Sequence, residues 1–186
     1  MTINLKTISY LSFITLLIIL GWPKTESTAA APIMESITWE GEEFAQGAGL
    51  DTAVSSTGLT LNAAAFTAVY TSDPVQTPIN FNALVTSWEA TVPTDTSLEV
   101  RVRTRKENGA WSEWFHLHSH LDLVQEDDHE NLSDMITVPE ADETHDIIQF
   151  SVSFGRFSSL VAPELHSISF TFIDTTAGPT TEELVA

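Results

Sequence analysis

The chain has 186 residues, with 26 acidic against 7 basic side chains, a formal net charge of −19 and no cysteine. Such an acidic surface repels nucleic acid and anionic lipid over most of its area. The missing thiols exclude a disulfide framework, a thiolate metal site, a cysteine nucleophile and a thioether lipid anchor. The first element, Ile8 to Leu20, is an almost unbroken apolar run behind Lys6, followed by Gly21-Trp22-Pro23 and small residues through Ala31. This is the layout of a secretory signal peptide, with a cut expected after Ala29 or Ala30, because Pro32 disfavours cleavage immediately before it. Thirteen residues are also short of the about twenty that span a bilayer. The mature chain is therefore expected to be secreted or held in the cell envelope with no stable membrane span, a retained N-terminal anchor being the alternative.

Residues 31–174 read as one domain made almost wholly of strands, and 175–186 as a Thr/Gly/Pro/Glu-rich tail or truncated linker. Strands are expected at Ser36–Trp39 and Gly58–Leu61, then at Phe66–Tyr70, which ends at the turn signal Ser72-Asp73-Pro74. Phe81–Val92 carries Phe81, Leu84, Val85 and Trp88 and stops at Pro93. After a central hairpin comes an acidic loop, Asp122–Asn131, and a short strand at Met135–Val138. Ile147–Phe157 alternates as Ile148, Phe150, Val152 and Phe154, and Leu165–Ile173 alternates again. About eight short strands separated by turns, with no long helical period, predict an all-β fold: a two-layer antiparallel β-sandwich, jelly-roll-like in order.

The central hairpin, LEVRVRTRKENGAWSEWFHL from Leu98 to Leu117, carries the most information. Asn108-Gly109 suits a two-residue type I′ turn, since both residues tolerate positive φ. Counting outward pairs Arg105 with Ser112, Arg103 with Trp114, Arg101 with His116 and Val100 with Leu117. With period-two alternation, one face holds Val100, Val102, Trp111, Phe115 and Leu117, a core face, and Trp88 is assigned to the core as well. The other face holds Arg101, Arg103, Arg105, Trp114 and His116. Two readings stay open for it. An indole beside guanidinium groups can stack on a sugar ring while the arginines grip hydroxyls or a carboxylate. Equally, Arg103 can lie across Trp114 and stabilise a solvent face, with Glu99 and Glu113 balancing charge.

The run TSDPVQTPINFNALVTSWEATVPTDTSLEVRVRTRKENGAWSEWF, with the later IDTTAGPT, resembles a secreted bacterial accessory β-sandwich. Such domains are found before N-acetylmuramoyl-L-alanine amidase or cysteine-peptidase-like catalytic domains. The matching elements are Tyr70-Thr71-Ser72, Phe81-Asn82 with Ser87-Trp88, the alternating Arg101 to Arg105, Trp111 to Trp114, and Ile173 to Pro179. After Pro179 seven residues remain. The resemblance therefore implies an accessory domain without its catalytic partner, and no hydrolase activity is carried over.

His116, His118 and His120 alternate on one side of the expected strand. Imidazoles two apart can share a transition metal, but three in a row spread over roughly 13 Å, so at most two could join a carboxylate. Glu126, Asp127, Asp128 and Glu130 cluster oxygens that a hard cation prefers, which makes calcium the candidate metal; a solvated acidic loop is the alternative. Neither a GxSxG elbow, nor HExxH, nor a phosphate-cradling glycine loop is present. The expectation is a non-catalytic secreted module that binds peptidoglycan, another polysaccharide or a surface protein through Arg101, Arg103, Arg105, Trp114 and His116. The alternatives are a structural envelope module, with or without stabilising calcium, and a non-catalytic partner of a separately encoded amidase or peptidase.

Overall fold

The computed structural model describes residues 31–117, 130–132, 135–138, 143–157, 160–176 and 178. The expected signal peptide, the acidic loop with Glu126, Asp127 and Asp128, and both His118 and His120 lie outside the described residues.

Two antiparallel sheets face each other. The first is centred on β13 (Glu164–Asp174), flanked on one side by β7 (Ala83–Thr91) and on the other by β1 (Ile33–Glu40) and β4 (Gly58–Leu61). Outside these lie β3 (Thr52–Ser55) against β4, and β10 (Glu130–Leu132) and β11 (Ile136–Thr137) against β7. The second sheet is centred on β12 (His145–Arg156), which pairs β8 (Thr96–Arg105) on one edge and β5 (Thr67–Thr71) and β6 (Val75–Phe81) on the other. Short strands β2 (Ala48–Leu50) and β9 (Phe115–Leu117) close its flanks. The expected jelly-roll-like β-sandwich is the observed architecture.

Alternation explains the core. On β12, Ile148, Phe150, Val152 and Phe154 point inward and are buried, while Gln149, Ser151 and Ser153 share register with Arg103, Arg101 and Glu99 on the outer face. On β13, Leu165, Ile168, Phe170 and Phe172 are all fully buried. Leu165 and Ile168 can both face inward because the pairing with β7 shifts register between Leu165 and Ser167, an extra residue that resets the pleat. Aromatic rings join the layers: Phe150 meets Phe170 at a tilt at 5.3 Å and Trp39 edge-on at 5.1 Å. Trp88 is a core residue, as expected.

Three expectations need correction. The stretch Phe81–Val92 is not one strand, because Phe81 ends β6 in one sheet and Ala83 begins β7 in the other. Asn82 is the corner, its backbone bonded to Ile173 O and Val138 N and its amide to the Thr175 hydroxyl and N–H. The hairpin turn is Lys106–Gly109, closed by Gly109 N–H to Lys106 O at 3.0 Å, and neither Asn108 nor Gly109 has positive φ. It is therefore not type I′. The pairs Val100–Leu117 and Arg101–His116 form as expected, but the ladder stops at Val102–Phe115. Released from the strand, Trp111 does not enter the core; it lies half-buried on the arginine side. The strands β2, β3, β6 and β10 and a six-residue 3-10 helix, Gly41–Gln46, are additions to the expected set, and β10 takes in Glu130 and Asn131, the end of the expected acidic loop.

Candidate functional site

Arginines at alternate positions of β8 project from the same face roughly 6.5–7 Å apart, a gap that admits one flat ring. The returning chain supplies the rings. Ser112 holds it in place, donating its N–H to Thr104 O at 2.9 Å and accepting from Thr104 N–H on its hydroxyl at 3.0 Å. Trp111 and Trp114, three residues apart, then fold over β8. The Arg105 guanidinium sits 4.6 Å from the Trp111 ring, Arg103 sits 4.5 Å from Trp111, and Arg103 sits 4.6 Å from Trp114. The order is Arg105, Trp111, Arg103, Trp114. Each such contact contributes about 0.5–1 kcal/mol at a partly exposed site.

Arg103 is further anchored by two bonds from Nε (2.9 Å) and Nη2 (2.5 Å) to the Gln149 side-chain oxygen. Gln149 in turn donates to Ser72 O at 2.7 Å, and Ser72 Oγ accepts from Phe150 N–H at 3.0 Å. Burial, then the neighbouring Arg105 charge, lower the Arg103 pKa below its ordinary value, yet a guanidinium stays charged in any aqueous condition of interest. At the other end Glu99 gathers Arg101 at 3.0 Å and His116 at 2.5 Å. Burial works against the Glu99 charge, but hydrogen bonds from Arg101 and His116 outweigh it and hold the carboxyl below the usual range.

The five expected site residues thus share one outer face but differ in availability. Arg101 and His116 are engaged by Glu99, and Arg103 is enclosed by two indoles and an amide. Arg105 meets no carboxylate among the described residues, and the Nε atoms of Arg101 and Arg105 are buried without a partner there. Trp114 is half-buried with a guanidinium on one face. Glu130 enters β10 opposite Glu89. Among the described residues no group of three or more His, Asp or Glu side chains gathers for a metal. Sequence reasoning missed Trp111 as a member of the stack and Gln149 as its anchor. The signal for Trp111 was the three-residue spacing to Trp114, which does not fit a continuing period-two strand.

The parts of the sequence resemblance meet in this structure. Ser72 ties to Gln149 and so to Arg103, Trp88 lies in the core, and Asn82 clasps Thr175. Residues 38–127 match the family of the peptidase C39 N-terminal domain. The match runs from β1 through the arginine–tryptophan hairpin and bears out the resemblance to an accessory domain that precedes peptidase-like catalytic domains. The peptidase C39 N-terminal domain is a non-catalytic accessory region, and the stretch matched here holds no cysteine.

No curated protein matches. Among solved structures, the infectious bursal disease virus VP2 subviral particle is similar at 15% identity and TM-score 0.44, over 84% of this chain and 37% of that one. FLHE is similar at 13% identity and TM-score 0.41, over 78% and 98% of the two chains. A structure of carbohydrate-binding modules from the β-sandwich superfamily is similar at 14% identity and TM-score 0.30, over 81% and 58%. The sandwich assignment itself rests on the strand pairing. No described helix is long and apolar enough to cross a membrane.

Proposed function

We propose that the protein is an exported, non-catalytic accessory module that binds a cell-wall or other glycan-type ligand on the outer face of its six-stranded sheet. The supporting observation is Arg105, a guanidinium 4.6 Å from the Trp111 ring centroid with no carboxylate partner among the described residues. In this reading Trp114 offers the stacking surface and Arg103 fixes its position. Arg101, Arg105 and His116 flank it as polar contacts to hydroxyls or carboxylates. Calcium held by Glu126, Asp127, Asp128 and Glu130 would support the adjoining loop.

The test is retention on insoluble peptidoglycan and a panel of polysaccharides, with and without EDTA, for the wild type, Trp114→Ala and Arg105→Gln. Retention by the wild type and loss of at least about tenfold in both variants is the expected result; EDTA sensitivity would add a divalent cation. Absence of wild-type retention on every surface would sink the proposal. A second reading is favoured by the enclosure of Trp111 between two guanidiniums: the stack is then a clasp that holds the hairpin of a structural envelope module. It predicts that Trp114→Ala lowers Tm while the wild type is retained on nothing.

A further inference from the structure

Trp39 and Tyr70 are only 7% and 2% exposed, and each ends in a polar atom that packing alone does not satisfy. The Trp39 indole N–H and the Tyr70 hydroxyl make no hydrogen bond among the described residues, and neither atom is wholly shut off from solvent. Both line a cavity of about 270 Å³ that opens where the chain passes from β5 to β6, with Gln46, Asp73 and Gln76 also on its wall. We propose that this cavity, separate from the arginine–tryptophan face, is a binding site for a single neutral sugar ring.

The two aromatic walls are packed in place. Trp39 meets Phe150 at 5.1 Å and Phe170 at 5.7 Å edge-on, and Tyr70 meets Phe44 edge-on at 5.9 Å and Phe150 at a tilt at 5.8 Å. Gly47 makes room for the phenol, since any side chain there would overlap the Tyr70 ring and hydroxyl. Burial, then the Asp73 carboxylate, push the Tyr70 pKa up to about 12, so the hydroxyl remains a neutral donor at physiological pH.

The donor set selects the ligand class. An indole N–H only donates and cannot ligate a metal. An anion would face Asp73 inside a chain of net charge −19. A wholly apolar ligand would leave the indole N–H and the phenol unpaired, at about 1–3 kcal/mol each. A ring bearing hydroxyls supplies acceptors for Trp39 and Tyr70, donors for Asp73, and either for the two glutamine amides. The volume lies just under the roughly 300 Å³ at which pockets for drug-sized ligands begin, which suits one ring and not a chain of them.

The experiment is a ¹H–¹⁵N NMR titration of the purified protein with glucose, galactose and N-acetylglucosamine, following the Trp39 indole resonance identified with Trp39→Phe. The expected result is a saturable shift with at least one sugar at millimolar concentration, weakened about tenfold in Tyr70→Phe. That variant removes only an unbonded hydroxyl, so its spectrum should stay dispersed; if it does not, Asp73→Asn carries the same test. No saturable shift with any of the three, or a shift undiminished by the substitution, overturns the proposal and leaves the cavity to water. A protein that responds to a soluble sugar but is retained on no polymer keeps this site and refutes the arginine–tryptophan face. The reverse result keeps the face and overturns the cavity.

Discussion

Gln149 shows how one buried side chain organises a surface. It sits on the outer side of β12 yet is only 9% exposed, because Arg103 covers it. Its oxygen takes two guanidinium N–H groups and its amide nitrogen gives one to Ser72 O. The amide therefore couples the arginine stack to the turn after β5, where the Trp39/Tyr70 cavity opens. Gln149→Leu keeps the bulk but removes both functions, leaving Ser72 O and the Arg103 fork without their partner. Orphaned buried polar groups cost about 1–3 kcal/mol, so Tm by circular dichroism should fall by roughly 3–10 °C. A change below about 1 °C would mean that solvent replaces the amide at no loss and that the coupling is not structural.

At the scale of elements, two glycines separate what the backbone demands from what the turn residues suggest. Gly109 ends a turn that has no positive φ, and an added Cβ would meet Lys106 Cβ at an ordinary 3.4 Å. Gly109→Ala should therefore be neutral or raise stability by about 0.4–1 kcal/mol through the unfolded chain; a type I′ turn would instead make it costly. Gly58 has φ +146 and its added Cβ would collide with Leu165 O on β13. Gly58→Ala should destabilise by at least about 3 kcal/mol, read as a shift of the urea midpoint. The same contrast marks what was legible in the sequence. The alternation of β8, β12 and β13 and the Val100–Leu117 register could be read, because a period of two with one buried face leaves little freedom. The sheet switch at Asn82 could not, since a single corner residue breaks no hydrophobic pattern. Trp111 misled because the pleat was extended past Phe115, where pairing ends. Of the site, the arginine row and the Arg103–Trp114 stack were visible; the Trp111 wall and the Gln149 anchor were not, since Gln149 lies 46 positions from Arg103 and no local rule links them.

For the whole molecule, the charge distribution sets opposite salt responses for stability and for binding. A net charge of −19 repels itself in the folded state, and the Debye length shrinks from about 10 Å at 0.1 M to about 3 Å at 1 M salt. Screening should therefore raise Tm between these concentrations. The basic residues of positions 31–186 are Arg101, Arg103, Arg105, Lys106 and Arg156, and four of the five lie on one hairpin. Most of that positive charge is already committed: Arg101 to Glu99, Lys106 to Glu143 at 2.6 Å, Arg103 inside the stack, and Arg156 to the carbonyls of Asn62, Ala63 and Ala65. Arg105 is the cation left for an acidic ligand. Binding to an acidic polysaccharide through this face should then weaken with salt, but only as one contact does, by no more than about tenfold between 0.1 and 1 M. Measuring Tm and retention in the same salt series checks both signs. A salt loss of several powers of ten would point to many ionic contacts, more than this hairpin leaves free. Complete indifference to salt would remove Arg105 from the ligand's reach and leave Trp114 to bind by stacking alone.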